Sequence, residues 1–296
     1  MKKLVAALVV ALSLLAACGD DKTETTNEDA TTTAAESAGP ERIVSMSATA
    51  TEMLFALGAG DQVVAVDDQS NYPAHAPITD LSANEPNVEA ISAHEPDLVV
   101  LSDSGELEAS LEQIGIEVLV APAATTLDDS YDQLQELGEG TGHADEAAEV
   151  VDSVKRDIKE LVDQVPKRDA ALTFYHELDT TLYSVTSDTF IGQLYGLAGL
   201  ENSADPADAE GQSGGYPQLS PEFLVEADPD LVFLADTKCC QQDADTFAAR
   251  PGFADLSAVA NGQVISLDDD IASRWGPRVV DFLRTIIEAV QAVPAA

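Results

Sequence analysis

Short apolar runs alternate along this chain with stretches in which apolar residues recur every three to four positions. The runs predict strands at 42–46, 63–66, 97–101 and 117–120, and again at 171–175, 231–234 and 264–267. The spaced positions predict helices. Ser47, Ala48 and Thr49 form an N-cap region, Met53, Leu54 and Leu57 line the helix that follows, and Gly58 and Gly60 lie beyond its end. A second helix is expected at 106–114. Ser187, Asp188 and Thr189 open another, lined by Phe190, Ile191, Leu194 and Leu197, and 277–290 is a terminal helix with Pro277 in its first turn. The strands are apolar without alternation, the pattern of a parallel sheet covered on both faces.

Between the two halves, 144–165 reads as one helix with an apolar stripe of Val150, Val151, Val154, Ile158, Leu161 and Val162, stopped by Pro166. About 22 residues make it about 33 Å long, enough to brace two lobes. The halves also repeat each other. Residues 96–101 read Pro-Asp-Leu-Val-Val-Leu and residues 229–234 read Pro-Asp-Leu-Val-Phe-Leu. Seven positions before each proline stands a glutamate, Glu89 and Glu222. The predicted fold is α/β: two Rossmann-like lobes with parallel central sheets joined by one long bridging α-helix, the lobes at 41–142 and 167–296 and the bridge at 143–166.

The first 17 residues differ from the rest. Lys2 and Lys3 precede 14 residues that are apolar but for Ser13, too few to span a bilayer and suited to a secretory signal. Leu15-Ala16-Ala17-Cys18 resembles a bacterial lipobox, which places a lipid on Cys18. Residues 18–40 hold no aromatic residue and no Val, Ile or Leu, so they read as a disordered tether.

Charge narrows the function. The chain has 54 Asp and Glu against 14 Lys and Arg, a net charge of −40. Residues 41–296 alone hold 48 acids and 11 bases, so the acidity belongs to the folded part. Such a surface repels phosphate backbones and excludes nucleic acid as a partner. A solvated acidic face and adaptation to a saline medium both fit this composition. No G-x-S-x-G, H-E-x-x-H or phosphate loop is present, and the chain is read as a non-enzyme without a cofactor.

Open α/β sheets bind ligands beyond the C-terminal ends of their strands. The residues there give the candidate ligand-binding set: Ser47, Thr49, Asp68, Gln69 and Ser102 in the first half, and His176, Tyr216, Lys238, Arg274 and Trp275 in the second. Tyr216 and Trp275 offer stacking faces, and Arg274 suits an anionic group. Cys239 and Cys240 form either a vicinal disulfide or two thiols beside Lys238; adjacency does not give the spaced pair of a zinc site. His176, Glu177 and Asp179 read as a satisfied polar strand end rather than a metal group.

The order of segments resembles the class III substrate-binding proteins of ATP-binding-cassette importers, the iron-siderophore and cobalamin binders. The resemblance rests on 42–58, Pro86-Asn-Val-Glu-Ala-Ile91 with Pro96 and Asp97, Tyr216-Pro-Gln-Leu-Ser-Pro-Glu222, Arg250-Pro-Gly-Phe253, 258–262 and Arg274-Trp-Gly-Pro-Arg278. It implies a monomeric, extracytoplasmic lipoprotein, anchored to the cell membrane through Cys18. Such a protein holds a small metal chelate between its lobes and delivers it to an import permease. It also implies that Glu89 and Glu222 meet arginines of that permease. Cobalamin binders of the family carry several cleft aromatics; Gln69 and Ala83 stand at two such places here. Few bases line the expected cleft, which disfavours strongly anionic catecholates and favours a neutral or cationic ferric hydroxamate. A corrinoid or haem is the alternative within the family, and an exported chelatase-like enzyme the alternative outside it.

Overall fold

A computed structural model describes residues 39–294. The signal segment, Cys18 and nearly all of the tether lie outside the described residues. The first sheet consists of β1 (Ile43–Ser45), β2 (Val63–Val66), β3 (Leu98–Leu101) and β4 (Glu117–Val120) in the order β2-β1-β3-β4. All its pairings are parallel. Helices α1 (Ala48–Ala56), α2 (Val88–Ser92) and α3 (Glu106–Gln113) connect them. Then come α4 (Leu127–Thr141) and α5 (Ala144–Val162).

The second sheet repeats the plan. Strands β5 (Thr173–Glu177), β6 (Glu201–Asn202), β7 (Leu231–Leu234) and β8 (Val264–Ser266) are all parallel, in the order β6-β5-β7-β8. Thus β5 corresponds to β1 and β7 to β3. Its helices are α6 (Phe190–Leu197), α7 (Pro221–Ala227), α8 (Ala244–Ala248), α9 (Ser257–Ala260), α10 (Asp269–Ser273) and α11 (Val279–Ala292). Every residue of β3 and of β7 is buried, because helices cover both faces of each sheet.

Three of the differences from the sequence reading have a plain physical cause. Helix α5 ends at Val162 rather than 165. Gln164 and Val165 close the turn onto Leu161 and Val162 with three-residue hydrogen bonds, since the residue before Pro166 is disfavoured in the α region. Helix α4 was not anticipated. Thr126 and Asp129 form its capping box and Gly142, at φ 82°, ends it. Strand β5 lies two residues later than the apolar run suggested, so His176 and Glu177 fall within it.

One apolar core runs through both lobes. Val151, Val154, Ile158 and Leu161 of α5 belong to the same buried cluster as Leu283, Ile286, Ile287 and Val290 of α11, Leu134 and Leu137 of α4, and Val100 and Phe233 of the two sheets. Two smaller clusters fill the far faces, one under each sheet. The bridging helix is therefore part of the core, and a hinge motion about it would expose apolar surface.

Candidate functional site

The strand ends of each lobe are built by local capping. Ser47 follows β1 and caps α1, its hydroxyl accepting from the amide of Ala50 at 3.3 Å. This packs Ser47 and Thr49 into the lobe, and both are buried. Thr51, one turn on, meets Ser45 Oγ and Ser70 Oγ at 2.9 Å each. Ser102 is half-buried after β3 and, with Met46, Asn84, Asp103 and Leu107, lines a hollow of about 220 Å³.

Two edges join the lobes beside this face. On one, Glu52 of α1 is buried and binds two arginines from the segment before α11. Arg274 Nη1 donates to it at 2.7 Å, Arg278 Nε donates at 2.8 Å, and Arg278 Nη2 donates to it as well. Arg274 also donates to Asn71 Oδ1 at 3.0 Å and to the carbonyl of Gln69 and to Asp270 at 2.9 Å each. Asp270 in turn accepts from Asn71 at 3.0 Å and from Lys238 at 2.7 Å. Gln69, Lys238 and Arg274 are thus brought together around Asp270. On the other edge, Gln193 of α6 donates to the carbonyl of Thr125 at 2.8 Å. Trp275 donates its indole N–H to Gln133 of α4 at 2.8 Å, and Ser130 donates to the Trp275 carbonyl. Between the lobes on this side, Thr125, Asp188, Thr189, Asp208 and Tyr216 line a hollow of about 280 Å³.

In the second lobe the loop after β7 is held by a carboxylate. Asp269 accepts the amides of Thr237, Lys238 and Cys239 and the Thr237 hydroxyl, at 2.7–3.0 Å. Burial alone would raise the Asp269 pKa, but these donors hold it below the usual carboxylate range. Lys238 Nζ rests between Asp268, at 2.6 Å, and Asp270. Burial works against its charge, yet the two carboxylates keep its pKa raised. Cys239 and Cys240 lie side by side in this loop with their sulfurs facing each other.

Several candidates are placed differently from the reading of the sequence. His176 is fully buried on β5 and bonds Tyr195 Oη at 2.7 Å, because the strand extends past it; it faces the core and cannot touch a ligand in the cleft. Burial lowers its pKa to about 3, so the imidazole is neutral. Arg274 is nine-tenths buried and both its Nη groups are taken up by the protein, so it acts first as an inter-lobe clamp. Trp275 is half-buried and tied to Gln133. Asp68, Gln69, Tyr216 and Lys238 are exposed. Reading strand ends missed Glu52, whose partners lie 222 and 226 residues away, and Arg250, which grips Glu177; it reached Asp236 as a residue after β7, but that side chain is fully buried rather than open to the cleft. Among the described residues, no group of three or more His, Cys, Asp or Glu side chains is placed to hold a metal ion.

Glu89 and Glu222 occupy equivalent places. Each is exposed at the second position of a helix, α2 or α7, whose N-cap side chain, Asn87 or Ser220, accepts the amide three residues on. The strands that follow, β3 and β7, hold the same position in their sheets.

Comparison with known proteins bears on this architecture. The family model described as periplasmic binding protein matches residues 43–271. An uncharacterised ABC transporter substrate-binding lipoprotein of Bacillus subtilis is 27% identical, over 96% of this chain and 95% of its own. A cobalamin-binding protein of Halobacterium salinarum is 31% identical, over 82% of this chain and 67% of its own. Among solved structures, the ABC-type Fe3+-hydroxamate transport system protein of Saccharomonospora viridis superposes with a TM-score of 0.66 at 26% identity, covering 86% of this chain and 94% of that one. The periplasmic heme-binding protein of Vibrio cholerae has the same fold, with a TM-score of 0.73 at 24% identity over 83% and 97% of the two chains. With two four-stranded parallel sheets of like strand order and a family match over most of its length, the chain belongs to the periplasmic binding protein family.

Proposed function

We propose that this protein is the extracytoplasmic substrate-binding lipoprotein of an ABC importer. It captures a neutral or cationic metal chelate of the ferric hydroxamate type between its lobes and hands it to the permease. The observation that carries the choice of ligand is the state of the bases around the cleft. Lys238 is paired with Asp268 and Asp270, Arg274 with Glu52 and Asp270, and Arg278 with Glu52. A multiply charged anion entering here would have to displace a carboxylate from each base it met. Tyr216 supplies an exposed aromatic face for the apolar part of a chelate.

A corrinoid is the second reading, favoured by the 31% identity to the halobacterial cobalamin-binding protein. It satisfies the same charge rule but has fewer aromatic faces to rest on, since Trp275 is committed to Gln133.

In this reading Cys18 carries the lipid and residues 18–40 are the tether. Glu89 and Glu222 dock to arginines of the permease, one carboxylate per lobe fixing orientation. The test is import by cells in which Glu89→Lys or Glu222→Lys replaces the natural chain. Import should fall more than with the alanine variants, and ligand affinity should stay unchanged. Wild-type import by Glu89→Lys contradicts the docking assignment.

A further inference from the structure

Beneath the cysteine loop of the second lobe lies a group of ionisable side chains that ligand capture does not use. Asp236 stands two residues after β7, fully buried, and neither of its carboxyl oxygens has a hydrogen-bond donor. Glu177, the last residue of the neighbouring strand β5, is also fully buried. Arg250 donates to it through Nη1 at 2.7 Å and Nη2 at 2.5 Å, and the Tyr175 hydroxyl donates at 3.1 Å. The ionisable groups that face Asp236 are Glu177 and Tyr175 from β5 and Arg250 from the turn after α8. The one guanidinium thus pairs with Glu177, and the second buried carboxyl, Asp236, has no such partner. A second anion there, without a donor, is strongly disfavoured, so Asp236 keeps its proton. Burial pushes its pKa up to about 7, and the neighbouring Glu177 charge adds to the rise.

The same side chains hold the loop. The Asp236 carbonyl accepts the amides of Cys240 at 3.2 Å and Gln242 at 3.3 Å. Gln242 Oε1 accepts from Arg250 Nη2 at 2.7 Å, and its Nε2 donates to the Cys240 carbonyl at 3.0 Å. Arg250 is thus shared between Glu177 and the loop that carries Lys238, Cys239 and Cys240.

We propose that Glu177, Asp236 and Arg250 form a proton-binding site that latches the 237–242 loop at the rim of the cleft. With the proton bound, Arg250 serves Glu177 and Gln242. When Asp236 gives its proton to water, its new charge draws Arg250 from Gln242 and the loop loosens. The latch requires no ligand and stands apart from the identity of the cargo.

The sign follows from linkage. Closed, the site holds its proton up to about pH 7; opened and hydrated, Asp236 titrates near the ordinary 3.8. Opening therefore becomes easier by up to about tenfold per pH unit from about pH 4 to 7, and levels off above. Hydrogen exchange of the Cys240 and Gln242 amides measures it, expressed as protection factors so that base catalysis of exchange is removed. Protection should fall as pH rises from 5 to 7 and stay level to pH 9. In Asp236→Asn, which stays neutral, it should be flat throughout. A 13C carboxyl titration of the unaltered protein should place the Asp236 midpoint near 7. An Asp236 midpoint near 4, or parallel loss of protection in wild type and Asp236→Asn, overturns the proposal.

Discussion

At the end of β3 the chain reads Pro-Asp-Leu-Val-Val-Leu-Ser-Asp, residues 96–103; at the end of β7 it reads Pro-Asp-Leu-Val-Phe-Leu-Ala-Asp, residues 229–236. The final aspartates occupy the same place on equivalent strands and meet opposite surroundings. Asp103 is exposed beside a hollow of the first lobe, whereas Asp236 is fully buried against Glu177. The neighbouring strand sharpens the contrast. β1 ends on Ser45, whose hydroxyl accepts from Thr51, itself bonded to Ser70, and β5 ends on Glu177, gripped by Arg250. Hydroxyls rotate to satisfy one another at any pH, while a buried cluster of two carboxyls and one guanidinium changes its charge balance as a proton leaves it. One backbone plan thus ends β1 in a cluster of hydroxyls and the equivalent β5 in a cluster of ionisable groups.

The largest way to break this contrast is to remove Arg250. Arg250→Met leaves Glu177 buried without its partner, and urea unfolding should show a loss of about 3–5 kcal/mol. A loss under about 1 kcal/mol would mean that the cluster reorganises without cost. Next comes the clamp that joins the two lobes. Glu52→Gln removes the charge between Arg274 and Arg278 and should cost about 2–3 kcal/mol, less than Arg250→Met because Asp270 still serves Arg274.

The third comparison sets the two aspartates against each other. Asp103→Asn should leave stability within about 0.5 kcal/mol of wild type at every pH. Asp236 has a raised folded-state pKa, so its contribution is fully present below about pH 4 and is lost as pH rises through about 7. Asp236→Asn should therefore gain on the wild type between pH 4 and 7, by an amount constant above. His176 runs the other way. Its folded pKa is lowered to about 3, so its contribution is present above about pH 6.5 and is lost as pH falls towards 3. In Asp236→Asn that rising slope stands without its opponent. Urea midpoints across pH read both.

The parts of the fold that show in the sequence are those whose buried faces are apolar. Helix α5 buries Val151, Val154, Ile158 and Leu161, and its stripe is plain. Helix α4 buries Ser130, Gln133, Gly138 and Thr141 alongside Leu134 and Leu137, so its period is hidden although its capping box is not. β6 is two polar residues, Glu201 and Asn202, with no apolar signal. β5 appeared to end before His176 because polar residues close it, and only Tyr195 and Arg250, distant in sequence, make their burial possible. Strand ends pointed to Gln69, Ser102, Tyr216 and Lys238, which are exposed or half-buried, and the internal repeat pointed to Glu89 and Glu222, which are exposed at equivalent helix positions. The partners that neutralise the cleft's bases, above all Glu52 and Asp270, are set by tertiary packing.

That neutralisation makes the choice of cargo testable by charge. Calorimetric titration of the purified protein with a cationic ferric hydroxamate and a triply anionic ferric catecholate of similar size measures it directly. The hydroxamate should bind at least about a hundredfold more tightly, a difference of about 2.7 kcal/mol. Equal or tighter binding of the catecholate would contradict it.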